Sequence, residues 1–217
     1  MVAQLEGLSA IVTGGTAGVG EAVARLFHAR GARVGAVELA RRRFGGLDVL
    51  VNNAGMDYVH EIASAPLADV RRVMEVNLVA PLAMIQAVVP ELAGRGGGCV
   101  VNVVSRLASI AVPGMNVYGA AKAALHAITR GAAIELAHAG VRVNSVAPGF
   151  TETPLMSAWL DDQPDPAEAR RAALEAIPQR RFATPDDVAA AVAYLASREA
   201  GHVTGASLAV DGGYTAQ

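Results

Sequence analysis

"IVTGGTAGVG", residues Ile11–Gly20, is an apolar run that breaks into glycines at Gly14, Gly15, Gly18 and Gly20 and continues as "EAVARLFHA". It reads as a strand over Ser9–Val12, a turn, and a helix over Gly18–Ala29. Glycines in such a turn let backbone N–H groups approach a ligand, and a helix N-terminus favours an anion such as a pyrophosphate. The spacing, T-G-x-x-x-G-x-G, differs from the commonest dinucleotide fingerprint. On this stretch alone, a tight turn without a ligand stays open.

The same alternation repeats outward along the chain. Further strands are expected at Arg33–Val37, Val49–Val51, Cys99–Val104, Arg142–Val146 and Ala206–Val210. They are near-continuous Val/Ile/Ala runs, as strands covered on both faces require. Helices are expected at Leu67–Ala93, Met115–Ala139 and Pro185–Ser197. The last opens "TPDD", with Thr184 as N-cap, Pro185 at the first helical position, and Asp186 and Asp187 facing the helix dipole. Strands alternating with helices predict α/β architecture, a doubly wound parallel sheet of Rossmann type. One domain over residues 1–217 is expected, with an exposed loop at Asp161–Glu168 before a short helix.

Composition narrows the function classes. The 217 residues are 53% hydrophobic and 18% charged, with a net charge of −2, which excludes disorder and bulk-charge binding of nucleic acid. Cys99 is the lone cysteine and reads as a buried thiol, with no disulfide framework. His28, His60, His126, His138 and His202 form no metal-ligand spacing, so no metal is expected. The longest apolar stretch, Val76–Ala93, is interrupted by Asn77, Pro81, Gln86, Pro90 and Glu91 and does not read as a bilayer span. A cytoplasmic protein without a membrane partner is expected.

"YGAAK", Tyr118–Lys122, holds the only lysine of the chain among 18 basic residues. On a helix, Tyr118 and Lys122 lie one turn apart on one face. A free phenol, with pKa about 10, is a poor base at neutral pH. A nearby ammonium favours the phenolate, so the pair could serve as a general acid–base for a hydroxyl or carbonyl. A compact ammonium fits beneath a phenol and can donate to a ribose hydroxyl, which the planar fork of arginine does less well. A surface tyrosine beside a snorkelling lysine is the competing reading. Gly14, Asn53, Ser105 and Pro148 each follow an expected strand, and chemistry in open α/β sheets collects at that edge.

Together these pieces resemble the short-chain dehydrogenase/reductases over essentially the whole chain. The matching residues are "TGGTAGVG" (Thr13–Gly20), "NNAG" (Asn52–Gly55), Asn77 in "VMEVNL", Ser105 after "VNVV", "YGAAK", "NSVAPGFTETP" (Asn144–Pro154) and "VTGASLAVDGGY" (Val203–Tyr214). The resemblance implies reversible hydride transfer between NAD(P)(H) and a secondary alcohol or ketone. It implies Tyr118 as acid–base, Ser105 holding the reacting oxygen, Lys122 lowering the tyrosine pKa and holding the nicotinamide ribose, and Asn77 supporting a water beside Lys122. Gly14, Thr16, Gly18, Val19 and Gly20 would border the pyrophosphate. Asn53, Ala54 and Gly55 would line the adenosine and ribose side, and Pro148, Gly149 and Thr151 the nicotinamide. A substrate loop over about residues 150–182 is implied, where Met156 and Trp159 either cover the substrate or pack. Pairing of the Leu67–Ala93 and Met115–Ala139 helices in a homotetramer or homodimer is implied as well.

Two features bear on the cofactor. Ala17 stands where many NADP-using relatives carry a cation, and Glu38 stands either at the end of strand two, where an acid favours NAD, or in the later helix that "ELARRRF" resembles. NAD is therefore favoured over NADP, and Arg41–Arg43 reads as a solvated helix face and not as a 2′-phosphate site. Only Glu38–Asp48, eleven residues, separate Val37 from Val49. Parallel crossovers normally use a dozen or more, including a helix. The region after strand two is thus shortened, or a segment is missing from the chain trace. The latter would show as a Cα–Cα separation above about 3.8 Å between Val37 and Arg43, with Arg41–Phe44 ending a helix. A real truncation favours the alternative function, a catalytically silent nucleotide-binding or regulatory protein on the same fold.

Overall fold

The computed structural model describes residues 5–35 and 45–217. Its strands are β1 (Ser9–Val12), β2 (Arg33–Gly35), β3 (Val49–Asn52), β4 (Gly98–Val103), β5 (Val141–Pro148) and β6 (Ser207–Val210). All pairs are parallel, in the order β2-β1-β3-β4-β5-β6. The chain steps outward from β1 to β2, then returns to place β3 on the other side of β1. That reversal opens a crevice above the carboxyl ends of β1 and β3, where the glycine turn lies.

The helices are α1 (Gly18–Ala29), α2 (Leu67–Met74), α3 (Ala80–Gly94), α4 (Asn116–Leu136), α5 (Pro154–Asp161), α6 (Pro166–Glu175) and α7 (Pro185–Ala196). Successive strand residues face opposite ways, and both sets are apolar. Val49, Val51, Cys99 and Val101 pack with Val23 and Phe27 of α1 and Val188 and Val192 of α7. Leu50, Val100 and Val143 point to the other face, against Ile85, Val88 and Leu92 of α3 and Ala133 of α4. A sheet sandwiched this way needs no polar alternation, which is why its strands read as continuous apolar runs. Thr184 caps α7 as expected: its hydroxyl accepts the Asp187 N–H (3.1 Å), and the Asp187 carboxylate accepts the Thr184 N–H (2.8 Å).

The structure corrects several boundaries. β5 runs through Pro148, so that residue closes the strand and does not follow it. The Leu67–Ala93 helix is broken at Glu75–Val79 by a π-helical turn that contains Asn77. The stretch expected as an exposed loop at Asp161–Glu168 ends α5 and begins α6, with Asp165 capping α6 at 3.0 Å to the Glu168 N–H. Pro154 and Pro166 start these helices at positions where the missing N–H costs nothing. Among the described residues β2 is the outermost strand, beside β1 alone. Val37, Glu38, Arg41–Arg43, Phe44 and the expected break between Val37 and Arg43 lie outside the described residues.

The helical run Leu67–Gly94 is, by length and composition, apolar enough to cross a membrane, with mean hydropathy 1.6 over its most apolar window. In the fold one side of it closes the core through Ile85, Val88 and Leu92. Only 28% of that window is buried, so much of the helix's apolar surface faces outward.

Candidate active site

The glycine turn is held by β3. The Thr13 hydroxyl accepts the backbone N–H groups of Asn53 and Ala54, each at 3.0 Å. The Asn53 side-chain amide donates to the carbonyls of Thr13 (3.1 Å) and Gly14 (3.4 Å). Gly14 has φ +66° and Gly18 φ +54°, in the left-handed region that favours glycine. A Cβ on Gly20 would collide with the Gly14 carbonyl and the Asn53 amide, so the first turn of α1 can approach the glycine loop only without a side chain there. The N-cap, Ala17, offers no side-chain cap to the first amides of α1. Thr153, at the start of α5, faces Gly18 across the mouth of the turn, where a glycine Cβ would sit 3.4 Å from its methyl. A backbone-walled hollow with uncapped amides fits the diphosphate of a dinucleotide.

The chemical groups converge beside this hollow. Ser105, 8% exposed, stands just past β4 and caps a short turn, its hydroxyl accepting the Leu107 N–H at 3.2 Å. Tyr118 lies on the first turn of α4, within hydrogen-bond reach of Ser105. Lys122, one turn on, is 4% exposed and donates from Nζ to the Val103 carbonyl at 3.0 Å. Asn77 is fully buried: its amide donates to the carbonyls of Met56 (2.9 Å) and Val73 (3.1 Å), and its Oδ1 accepts the Met56 N–H at 3.3 Å. Gly55 sits between them. A Cβ there would come within 2.8 Å of Asn77 Oδ1 and 3.4 Å of Lys122 Nζ. The π-helical turn re-aims Asn77 toward this point, a use such turns often have.

The electrostatics differ from the expectation that Lys122 lowers the phenol. Burial pushes Tyr118 up to about 12, and the Asp57 carboxylate pushes the same way. The hydrogen bond with Ser105 and the charge of Arg106 pull against them. Lys122 itself is brought down to about 8 by burial, and its Nζ, turned to Val103, lies 5.7 Å from the Tyr118 ring centre. In this structure the protonated phenol is the stable form, and Arg106 is the cation that opposes it.

A cleft of about 420 Å³ joins these groups. Ser105, Tyr118 and Lys122 line it with Val19, Asn53 and Gly55, and Pro148, Gly149 and Thr151 complete the side below β5. Gly14, Thr16, Gly18, Gly20 and Ala54 belong to the adjoining glycine hollow and its β3 support, and Asn77 stands behind Gly55. The Asn53 side chain is spent on the glycine turn, so toward the adenosine side it can offer its other atoms only. Gly149 is required where it is, because a Cβ would meet Asp211 at 2.8 Å. Trp159 and Met156 both line the cleft and both pack on the small cluster of Leu160, Ala173, Ile177 and Phe182, so cover and packing are one role here. Sequence reasoning passed over Thr13, Asp57 and Arg106. The available signal for Arg106 was a charged residue set directly after Ser105 at the end of an apolar strand. Among the described residues no group of three or more His, Cys, Asp or Glu is placed to hold a metal.

Comparison with known proteins gives the class. The model of the family described as enoyl-(acyl carrier protein) reductase matches residues 35–215. The chain is 35% identical to the 2-(R)-hydroxypropyl-CoM dehydrogenase of Xanthobacter autotrophicus, over 95% of this chain and 98% of that protein. It is 37% identical to the cis-4-hydroxycyclohexanecarboxylate dehydrogenase of Sinomonas cyclohexanicum, over 95% and 96%. A Beutenbergia cavernae structure described as an NAD(P)-dependent gluconate 5-dehydrogenase, with NADP at low occupancy, superposes with a TM-score of 0.92 at 30% identity, covering all of both chains. The chain belongs to the short-chain dehydrogenase/reductase family. It is an NAD(P)-dependent oxidoreductase that interconverts an alcohol and a carbonyl compound, and these relatives support that activity and not the silent alternative. Its alignments to the two dehydrogenases span 249 and 248 positions, more than its own 217 residues, so the relatives carry residues that this chain lacks within the aligned span.

Proposed function

We propose that Tyr118 is the acid–base of this dehydrogenase, with Ser105 fixing the reacting oxygen and Lys122 and Asn77 completing the site. The observation that carries the reading is the meeting of Ser105, Tyr118 and Lys122 in one cleft beside the glycine hollow. When bound, the nicotinamide cofactor supplies or accepts the hydride. Gly14, Thr16, Gly18, Val19 and Gly20 would hold its diphosphate. Asn53, Ala54 and Gly55 would face the adenosine and ribose side, and Pro148, Gly149 and Thr151 the nicotinamide.

Ser105 Oγ donates to the substrate oxygen and holds it toward Tyr118. In the reducing direction the phenol gives its proton to that oxygen. A phenol is protonated at neutral pH, and burial and Asp57 push its pKa further up, so it stands ready for this step. Oxidation needs the phenolate and is favoured as pH rises. Lys122, still mostly charged below about 8, supplies a positive charge behind the tyrosine and a donor for a ribose hydroxyl. Asn77 fixes the Met56 backbone and the floor under Gly55, from which a water could serve Lys122.

NAD is the preferred cofactor in this reading, supported by Ala17, where a cation would favour a 2′-phosphate. A cytoplasmic location agrees with a single free buried thiol, Cys99. A homotetramer or homodimer is supported by Leu67 and Val79 on the long helical run and by Ile134 on α4, 68%, 43% and 82% exposed. The test is Tyr118→Phe. Turnover of a secondary alcohol should fall about 10² to 10⁴-fold, while NADH titrates as in the wild type and more tightly than NADPH. Near-normal turnover in that variant would remove Tyr118 from its role, and tighter NADPH binding would reverse the cofactor preference.

A further inference from the structure

Arg106 is a buried cation whose neighbours are two aromatic rings. It is 8% exposed, directly follows Ser105, and lines the cleft. Its guanidinium carbon lies 3.9 Å from the Phe150 ring centre and 4.6 Å from that of Tyr214, so two aromatic faces fix its plane. Its buried Nε has no hydrogen-bond partner. Among the described residues no carboxylate forms an ion pair with it; Asp211, the acid whose field reaches it, is engaged by Gly213, Thr215 and the Thr215 hydroxyl. The Tyr214 hydroxyl also acts on it as a neutral polar neighbour. Burying a guanidinium in this way is costly unless an anion satisfies it, and its fork matches a carboxylate or sulfonate in two-point contact.

We propose that Arg106 is a specificity-determining residue that binds the anionic group of the substrate, making this a dehydrogenase of hydroxy acids and their keto forms. The proposal rests on the dehydrogenase reading of the cleft. Ser105 and Tyr118 take the carbinol oxygen, and Arg106, one residue further along the chain, takes the acid group. In oxidation the hydroxyl proton passes to the Tyr118 phenolate, and a bound oxidised nicotinamide would take the hydride from the carbinol carbon, leaving the ketone; the acid group is unchanged. Phe150, Met156, Trp159 and Leu107 line the same cleft with apolar surface, suited to a short chain or ring. Asp57 and Lys122 line the same cleft, and the Asp211 charge acts on Arg106.

Trp159 lines the cleft and is the only tryptophan, so its fluorescence reports ligands without turnover or cofactor. The probes are cyclohexanecarboxylate and its neutral isostere cyclohexanecarboxamide, titrated at one ionic strength into wild type, Arg106→Gln and Arg106→Lys. The wild type should bind the carboxylate at least about tenfold more tightly than the amide, the range of one charged contact. Arg106→Gln should erase that preference, and Arg106→Lys should keep part of it. Equal binding of the two probes by the wild type, or a preference that survives in folded Arg106→Gln, overturns the proposal. Should Arg106→Gln fail to fold, the wild-type comparison and Arg106→Lys still decide it. Because the readout is equilibrium binding, its failure is distinct from a failure of Tyr118→Phe to lose turnover.

Discussion

Replacing Lys122 by methionine should abolish activity yet make the free protein more stable at neutral pH relative to alkaline pH. Burial moves the ammonium from 10.5 to about 8, and among the described residues no carboxylate pairs with it. A shift of that size is roughly 3 kcal/mol of penalty on the charged form. Its sign follows from proton binding. Below about 8 both folded and unfolded chains hold the proton, and the penalty is present in full. Between 8 and 10.5 the unfolded chain binds more protons, so wild-type stability rises with pH. Methionine fills a similar volume without a charge, but it leaves the Val103 carbonyl without its 3.0 Å donor, a cost of about 1–3 kcal/mol that does not depend on pH. The absolute difference at neutral pH is therefore small. Its change with pH is the decisive quantity: wild type should gain about 2 kcal/mol on Lys122→Met between about pH 7 and 9.5. For a chain of this length that is roughly 4–8 °C in Tm. Cys99, raised to about 11, and Tyr118, raised to about 12, titrate in both proteins and cancel in the comparison. The assay is reversible unfolding of both proteins, free of cofactor, at the two pH values. A stability difference that stays constant with pH would refute the argument that Lys122 is held against its own desolvation.

Two further outcomes follow. Asp57→Asn removes the negative charge that raises Tyr118, so the alkaline limb of the oxidation rate should move to lower pH, and an unmoved or upward-moved limb would show that Asp57 does not act on the phenol. Light scattering after size exclusion should give a mass that is a multiple of the 22.2 kDa chain, lowered by Ile134→Asp; the monomer mass alone would refute the assembly.

Much of this architecture is legible in the chain because it is periodic or local. Val49–Val51 and Arg142–Val146 read as strands because they are mainly apolar runs, and the sheet there is covered on both faces. The Thr184 cap is legible because its partner, Asp187, is three residues away. Tyr118 and Lys122 are legible as a pair because one helical turn separates them. The exceptions share a cause. The π-helical turn at Asn77 leaves no mark on an apolar helical pattern, since one extra residue shifts the face without changing composition. The helix α5 and the first turn of α6 are hidden by the acids and prolines around them, which look the same in a loop.

Arg106 shows the limit in its sharpest form. As a letter it is one arginine among seventeen, while the single lysine draws attention by its rarity. What makes Arg106 unusual is assembled from distant parts: Phe150 arrives from the end of β5, Tyr214 from beyond β6, and Asp57 from the loop after β3. The sequence-level expectation assigned the charge felt by Tyr118 to Lys122, its neighbour on the helix. In the fold Lys122 turns to the Val103 carbonyl, and the charge that lowers the phenol comes from Arg106, next to Ser105. The helix contributes the alignment of Tyr118 and Lys122, whereas the field at Tyr118 is set by groups that only the sheet edge brings together. An anion held at Arg106 would offset that positive charge and push the phenol pKa further up. Substrate charge and the acid strength of Tyr118 are thereby coupled through one side chain.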